Sequence, residues 1–394
     1  MKKILKILLA IFLVIVIVVI GYVAYLFIQY SRIPDNTDIV PQNAHNDAMV
    51  TTDTVYTVVT QNIGFGAYTK DFTFFMDGGK LSRAKSKESV IDCVNQSADT
   101  VLNFSPDFVL FQEVDTDSTR SHHVDQSELL KSRFKTFSNT FAINYHSAYL
   151  AYPFTSPHGA SNSGILTLSK YDFSTAKRRS LPISESITKF LDLDRCYSMT
   201  RIPVDNGKNL TLINLHLSAY GGNPTIRQQQ VQKLSDDMQY ELENGKELLI
   251  YNVHLSAYGG NDEIRTAQMN MLLNDMKEEY LKGNYCVCGG DFNHDFTGDS
   301  TQRLNGGSSV DFGWAQPFPE NLLPKELSRC INYSDEKLSP TCRNCDIPYE
   351  EGNFTIIVDG FLVSQNVTAV SVENVHTGFV YSDHNPVVLK FSLK

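Results

Sequence analysis

The chain has 394 residues, a formal net charge of −10 and a pI near 5.5. Apolar residues make up 42% of it, which excludes a natively disordered chain and allows one large domain with a substantial core. The acidic balance lacks the basic footprint of a protein that grips nucleic-acid backbones, while leaving room for a local basic patch.

In chain order the first element is the apolar run 4–28, ILKILLAIFLVIVIVVIGYVAYLFI, long enough to cross a bilayer as a helix. Lys2, Lys3 and Lys6 stand at its start, which predicts a cytoplasmic N-terminus and an exported remainder at the cell membrane. A cleaved secretory signal is the competing reading. The apolar run is longer than a signal core, and no small-x-small cleavage site follows it cleanly. Residues 1–30 therefore read as an anchor, 31–53 (polar, with two prolines) as a linker, and 54–394 as one domain.

Within that domain VYTVVTQNI (55–63) reads as a strand, KLSRAKSKESVIDCVNQSADTVLNF (80–104) has helical apolar spacing, and PDFVLFQEVD (106–115) is the next strand. Residues 163–169 form another. CYSMTRIPV and LTLINLHLS, joined by Asp205-Asn206-Gly207, predict a β-hairpin. NFTIIVDGFLVS (353–364) and HNPVVLKFSLK (384–394) are the last two strands. Many strands with mixed connections suggest a two-layer β-sandwich with helices outside.

One internal repeat interrupts this rhythm. Residues 206–243 align without gaps to 244–281, with about half the positions identical and HLSAYGGN present in both. Each copy is one strand plus one amphipathic helix, too few units for a solenoid, so it reads as a local duplication. It yields two candidate histidines, His216 and His254. His216 closes the hairpin, whereas His254 leads through one helix into NYCVCGGDFN. His254 is favoured for the site, with the displaced copy expected at a sheet edge or outside the sandwich. The seven cysteines leave at least one unpaired; Cys330, Cys342 and Cys345 form an incomplete cluster, and Cys286 and Cys288 read as packing residues.

Short polar motifs close several of these strands: Gln61-Asn62, Gln112-Glu113, GGDFNHD (289–295), Val358-Asp359-Gly360 and Ser382-Asp383-His384. Carboxylates, amides and a histidine delivered by separate strand ends make a hard-cation site able to attack a phosphoester. Glu113 is the best single ligand candidate; standing alone, it also reads as a solvated strand-end acid and Asn62 as a turn residue. Asp291 and Asn293 share one side of an extended strand, the first suited to orienting a water and the second to holding a phosphate. His384 suits acid–base work or phosphate binding, with Asp359 its expected carboxylate partner.

In this order these motifs resemble the endonuclease/exonuclease/phosphatase superfamily over about residues 55–394. The resemblance implies a four-layer α/β sandwich of two packed mixed sheets with outer helices, and magnesium-dependent phosphoester hydrolysis, with Mn²⁺ as a substitute. It implies metal-site roles for Asn62, Glu113 and Asp383, and catalytic roles for Asp291, Asn293, Asp359, His384 and one of His216 and His254. The duplication departs from the family pattern by supplying that histidine twice. Arg120 and Asn162 are substrate-binding candidates; Lys80, Arg83 and Arg343 are candidate rim residues, and His122 and His123 a candidate second metal site. The reading is a membrane-anchored, metal-dependent phosphoesterase that hydrolyses a phosphodiester or phosphomonoester by in-line water attack, with a lipid headgroup or small phosphodiester favoured and no obligate protein partner. An exported nuclease acting on DNA or RNA and a catalytically inactive phospho-ligand-binding module are the alternatives.

Overall fold

The computed structural model describes residues 2–46, 48–52, 54–180, 194–205, 209–216, 248–254, 285–292, 294–305, 317–331 and 338–393, with positions 233, 236, 269, 273, 274, 276, 277, 280 and 281. At 209, 211, 213, 215, 216 and 248–254 it describes the backbone alone.

Helix α1 (Lys2–Gln29) has no acidic residue in its first turn and no buried residue. Its most apolar window has a mean hydropathy of 3.3, which makes α1 a candidate membrane span. Helix α2 (Lys87–Leu102) starts where Ser86 accepts the Ser89 N–H and Glu88 occupies the positive first turn. Its buried residues Val90, Val94, Ala98 and Val101 recur at helical spacing and form one stripe. Asp125 caps α3 (Gln126–Arg133) in the same way, accepting from Glu128 N.

The strands begin with β1 (Thr37–Asp38), β2 (Tyr56–Asn62), β3 (Phe108–Asp115), β4 (Ser138–Leu150), β5 (Gly159–Ser169) and β6 (Thr175–Ser180). Next come β7 (Cys196–Pro203), β8 (Asn209–His216), β9 (Leu248–His254) and β10 (Tyr285–Asp291). The last are β11 (Leu327–Cys330), β12 (Cys342–Arg343), β13 (Thr355–Ile356), β14 (Asp359–Ser364), β15 (Val367–Asn374) and β16 (Val387–Leu393). One sheet has six strands in the order β15-β16-β2-β3-β5-β4, and the other eight in the order β1-β6-β7-β8-β9-β10-β14-β11. Both are mixed: β2–β3 and β8–β9–β10 pair in parallel, and the remaining neighbours are antiparallel.

Side-chain alternation divides the core into layers. Val58, Leu110 and Leu389 of the smaller sheet meet Leu212, Val287 and Val363 of the larger one in the interior. Val59, Val109 and Leu166 face the other way, onto α2 and α3. Cys286, Cys288 and Leu362 lie on the outer face of the larger sheet under Met269, Leu273 and Met276, themselves at helical spacing. This is a four-layer α/β sandwich. All seven cysteines are free and buried.

The structure differs from the sequence reading in three places. The 31–53 segment is no free stalk: β1 pairs with β6, Ile33 N bonds to Asp194, and Asn43 exchanges two hydrogen bonds with Phe173. The run 353–364 divides into β13 and β14, because the backbone oxygens of Ile357 and Val358 accept from Phe296 and Phe292 in the loop after β10. Neither copy of the repeat lies at an edge. Their strands β8 and β9 are neighbours inside the larger sheet, with Asn214 level with Asn252. Each copy ends in a connection of about thirty residues, long enough for a parallel crossover, so the duplicated unit extends the sheet instead of leaving it.

Candidate active site

Adjacent antiparallel strands β10 and β14 bring Asp291 and Asp359 directly opposite each other. Gly289 permits this approach: a Cβ there would lie 2.2 Å from the Phe361 ring. His384 reaches between the two acids, with Nδ1 at 3.0 Å from Asp359 Oδ2 and Nε2 at 4.0 Å from Asp291 Oδ2. All three residues are buried. Thr341 fixes the partner carboxylate's backbone by accepting the N–H groups of both Val358 and Asp359 on Oγ1. Cys342 Sγ lies 3.6 Å from His384 Nε2.

Burial disfavours a charge on His384, but Cys342 and the Asp359 carboxylate outweigh it and hold the imidazolium well above the usual histidine range. Burial also pushes the Cys342 thiol up to about 11. Near neutrality Cys342 is therefore uncharged, and Asp359 is the group that sustains the charge on His384. Burial raises Asp359 as well, against the pull of His384.

The second half of the site stands at the ends of β2 and β3. Asn62 Nδ2 donates to Glu113 Oε1 at 3.1 Å, and Asn62 Oδ1 accepts the Gly64 N–H at 2.9 Å. Asn62 thus orients Glu113. The Glu113 backbone is left-handed, with φ of 56°, at a bulge between Phe111 and Val114, a conformation uncommon for a residue with a Cβ. Ser382 Oγ donates to the Asn62 backbone oxygen at 2.9 Å and accepts the His384 N–H at 3.1 Å. The chain bends at Asp383, and Asp383 and His384 point to different sheets. Asp383 faces the smaller sheet, where a Cβ on Gly64 would lie 3.1 Å from its Oδ1, while His384 faces the larger.

Among the described residues no group of three or more His, Cys, Asp or Glu is arranged to hold a metal ion. Mg²⁺ commonly takes only one or two carboxylates and keeps several waters. The carboxylates of Glu113 and Asp383 fit that demand as hard oxygen donors, with Asn62 holding the first of them.

Of the remaining candidates, Asn293 and the side chains of His216 and His254 lie outside the described residues. Backbone register puts His254 beside Asp291 and His216 beside Cys196, one strand further away. Arg120 is committed to Asp115 through two bonds of 3.0 and 2.8 Å and lies 4.0 Å above the Phe65 ring. Burial opposes its charge, but Asp115 and then Glu113 sustain it. With Glu113 it lines a cavity of about 420 Å³. Asn162 fastens the loop after β3: its oxygen accepts from Thr116 N and Ser118 Oγ, and it is Ser163 that lines the cavity.

Three further candidates have structural partners. Arg343 is buried and donates to the backbone oxygens of Thr69 and Phe72, so it ties loops together instead of framing a substrate pocket. His122 bonds to Ala84 O and His123 to Asp117, so the two do not converge on a metal. Arg83 donates to Pro157 O. The sequence reading missed Thr341, whose role depends on a bond to a strand distant in sequence. It saw Cys342 only as one of a cysteine cluster.

A family model described as the endonuclease/exonuclease/phosphatase family matches residues 59–384. No curated protein matches the chain. Among solved structures, the human Nocturnin catalytic domain with bound sulfate anion is 15% identical, covering 91% of this chain and 97% of that one with a TM-score of 0.46. An endonuclease/exonuclease/phosphatase from Beutenbergia cavernae is 16% identical, over 86% of this chain and 72% of that one, with a TM-score of 0.45. D. rerio TDP2 complexed with single strand DNA product is 12% identical, over 86% and 100%, with a TM-score of 0.44.

Proposed function

The chain belongs to the endonuclease/exonuclease/phosphatase family, and on that premise we propose that it is a membrane-anchored, magnesium-dependent phosphoesterase. The observation that carries this reading is His384 set between Asp291 and Asp359 on neighbouring strands. A buried histidine with one carboxylate holding its charge and a second facing its other nitrogen suits a reaction that both activates water and stabilises anionic oxygen.

In this mechanism Asp291 takes the proton of the attacking water and orients it in line with the leaving oxygen. His384, kept protonated by Asp359, donates to a phosphoryl oxygen as negative charge accumulates. Asn293, two residues beyond Asp291, holds the second phosphoryl oxygen, and His254, level with Asp291 on β9, gives its proton to the leaving oxygen as the P–O bond breaks, so that the product departs as the alcohol. Glu113 and Asp383 would hold the cation, which when bound neutralises charge developing on the phosphoryl group. Arg120 adds a fixed positive charge behind Glu113 and resists displacement because Asp115 grips it on two nitrogens. A lipid headgroup or another small phosphodiester is the favoured substrate, since the acidic surface repels long polyanions.

The test is hydrolysis of a chromogenic phosphodiester by the full chain in detergent, with Mg²⁺ or with chelator. Magnesium-dependent turnover that loses its metal response in Glu113→Ala supports the reading. A folded protein inactive under both conditions on every phosphoester supplied, or an unchanged metal response in the variant, overturns it.

A further inference from the structure

The cavity beside Glu113 is more elaborate than phosphate chemistry requires. Its volume of about 420 Å³ is in the range of small-ligand sites. Phe65, Tyr68, Phe74 and Phe75 wall it with rings, and Asn144 and His158 line it from β4 and the turn before β5. Asn144 is 1% exposed and His158 7% exposed. Asn144 Nδ2 and His158 Nδ1 are both buried without a hydrogen-bond partner. Leaving such atoms unpaired is unfavourable, so a polar group of an occupant is their natural partner. Burial, with Arg120 nearby, pushes His158 down to about 4, so its imidazole is uncharged near neutrality. Away from Glu113 and the two arginines, Arg120 and Arg195, the interior therefore suits an apolar body with a neutral polar group.

Exposed apolar side chains lie on the lining and beside it. Met76 is 38% exposed, Tyr152 63% and Phe154 85%. Tyr152 is in ring contact with both Phe75 and Phe154, at 6.0 and 5.8 Å between centroids. Such a contiguous patch is a feature of interaction surfaces. The last turns of α1 stand on the same spot. Tyr22 lines the cavity, its hydroxyl donates to Tyr149 O at 3.1 Å and accepts the Ala151 N–H at 3.0 Å, and the Tyr25 hydroxyl accepts the Tyr149 N–H at 3.1 Å. A spanning α1 places these tyrosines at the water–lipid boundary, where tyrosine is favoured. Its attachment to the end of β4 then turns the 151–158 loop toward the bilayer.

We propose that the cavity opens onto the membrane through the rim of Met76, Tyr152 and Phe154 and receives the apolar part of a bilayer lipid whose phosphoester reaches Glu113. The occupant is a lipid drawn laterally from the membrane that holds α1, not a nucleic acid. This rests on the phosphoesterase reading and on α1 as a retained anchor, and the test separates the three.

The full chain, with its mass confirming that α1 is present, is reconstituted in phosphatidylcholine vesicles containing phosphatidylglycerol. Phe154→Trp is compared with the parent, whose one tryptophan is Trp314, using lipids brominated near the headgroup end of the acyl chain. The proposal expects quenching in the variant well beyond the parent's. Phe154→Ser is then assayed on vesicle lipid and on soluble bis(p-nitrophenyl) phosphate. The expected result is a roughly 10-fold loss on vesicle lipid, from removing one inserted aromatic side chain, with the soluble diester unchanged. Absence of added quenching, equal losses on both substrates, or turnover of the soluble diester or of DNA without lipid turnover each overturns the membrane-facing cavity. Failure to hydrolyse any phosphoester sinks the enzymatic reading instead, while the quenching still decides the rim.

Discussion

In the six-stranded sheet Asn62 ends β2, Glu113 lies two residues before the end of its parallel neighbour β3, and the two share one hydrogen bond. In the eight-stranded sheet Asp291 and Asp359 stand on the antiparallel neighbours β10 and β14, and β9 separates β10 from β8. The first sheet carries single copies of its motifs, whereas the second has absorbed a duplicated strand and helix near its centre. The difference shows which adjacencies the site depends on. Asn214, in β8, still ties the sheets together by donating to the Phe111 and Leu166 oxygens and accepting from Gln112. β9 supplies the histidine level with Asp291. Because β8, β9 and β10 are all parallel, another crossover unit enters the sheet without reversing any strand.

The severest way to break this comparison is to remove Asp291, the acid that β10 contributes to the half of the site on the eight-stranded sheet. Asp291→Ala is expected to lower kcat on a soluble phosphodiester by about 10³-fold, as for loss of a general base, with the thermal melting point retained. Activity above a tenth of the parent's would remove Asp291 from the chemistry. The two repeat histidines come next. His254→Ala should lower kcat by about 10²-fold, the effect of losing one donor to the transition state, while His216→Ala changes it by less than about 3-fold. The reverse pattern would move the working histidine to β8, beside the strand that carries Glu113, and show that the insertion fell on the other side of the site.

Strand-end motifs were legible because each is local. Asp359 and His384 could be paired from sequence since both follow or precede an unmistakable strand, and their contact at 3.0 Å is the geometry such a pairing implies. The four-layer arrangement was legible through resemblance, while the strand pattern alone suggested only a sandwich with helices. The insertion was misplaced for a physical reason. Sequence shows that a strand-plus-helix was copied, but whether it enters the sheet depends on the direction of its neighbours, which is a tertiary property. The left-handed backbone of Glu113 and the Thr341 bonds that hold Asp359 depend in the same way on distant partners. The aromatic cavity was invisible because its walls come from α1, the loop after β2, and strands β3, β4 and β5, with no motif in common.

A smaller effect sharpens the role left to the first copy. Asn214→Leu strips partners from buried groups of the six-stranded sheet, so it should destabilise the protein by about 1–3 kcal/mol in denaturant unfolding while kcat changes by less than about 3-fold. A loss of activity matching that of His254→Ala, at full stability, would mean that β8 takes part in the chemistry instead of holding the sheets in register.

The least disruptive change tests the charge on His384. Its value is raised above the ordinary histidine level of 6.5. The stabilisation it gives the fold is therefore complete below that level and disappears as pH rises through the elevated folded-state value. Activity that needs the imidazolium follows the same alkaline limb. Asp359→Asn keeps the side chain's shape and the backbone bonds to Thr341 Oγ1 but removes the charge, so the alkaline limb of the kcat profile should move to lower pH, with little loss on its acid side. Cys342→Ser separates the two neighbours of the ring. Since the thiol is neutral until about 11, replacing it should leave the limb where it is. A limb that moves with Cys342 and not with Asp359 would assign the charge on His384 to a thiolate, and Asp359 would then be a structural acid of the larger sheet.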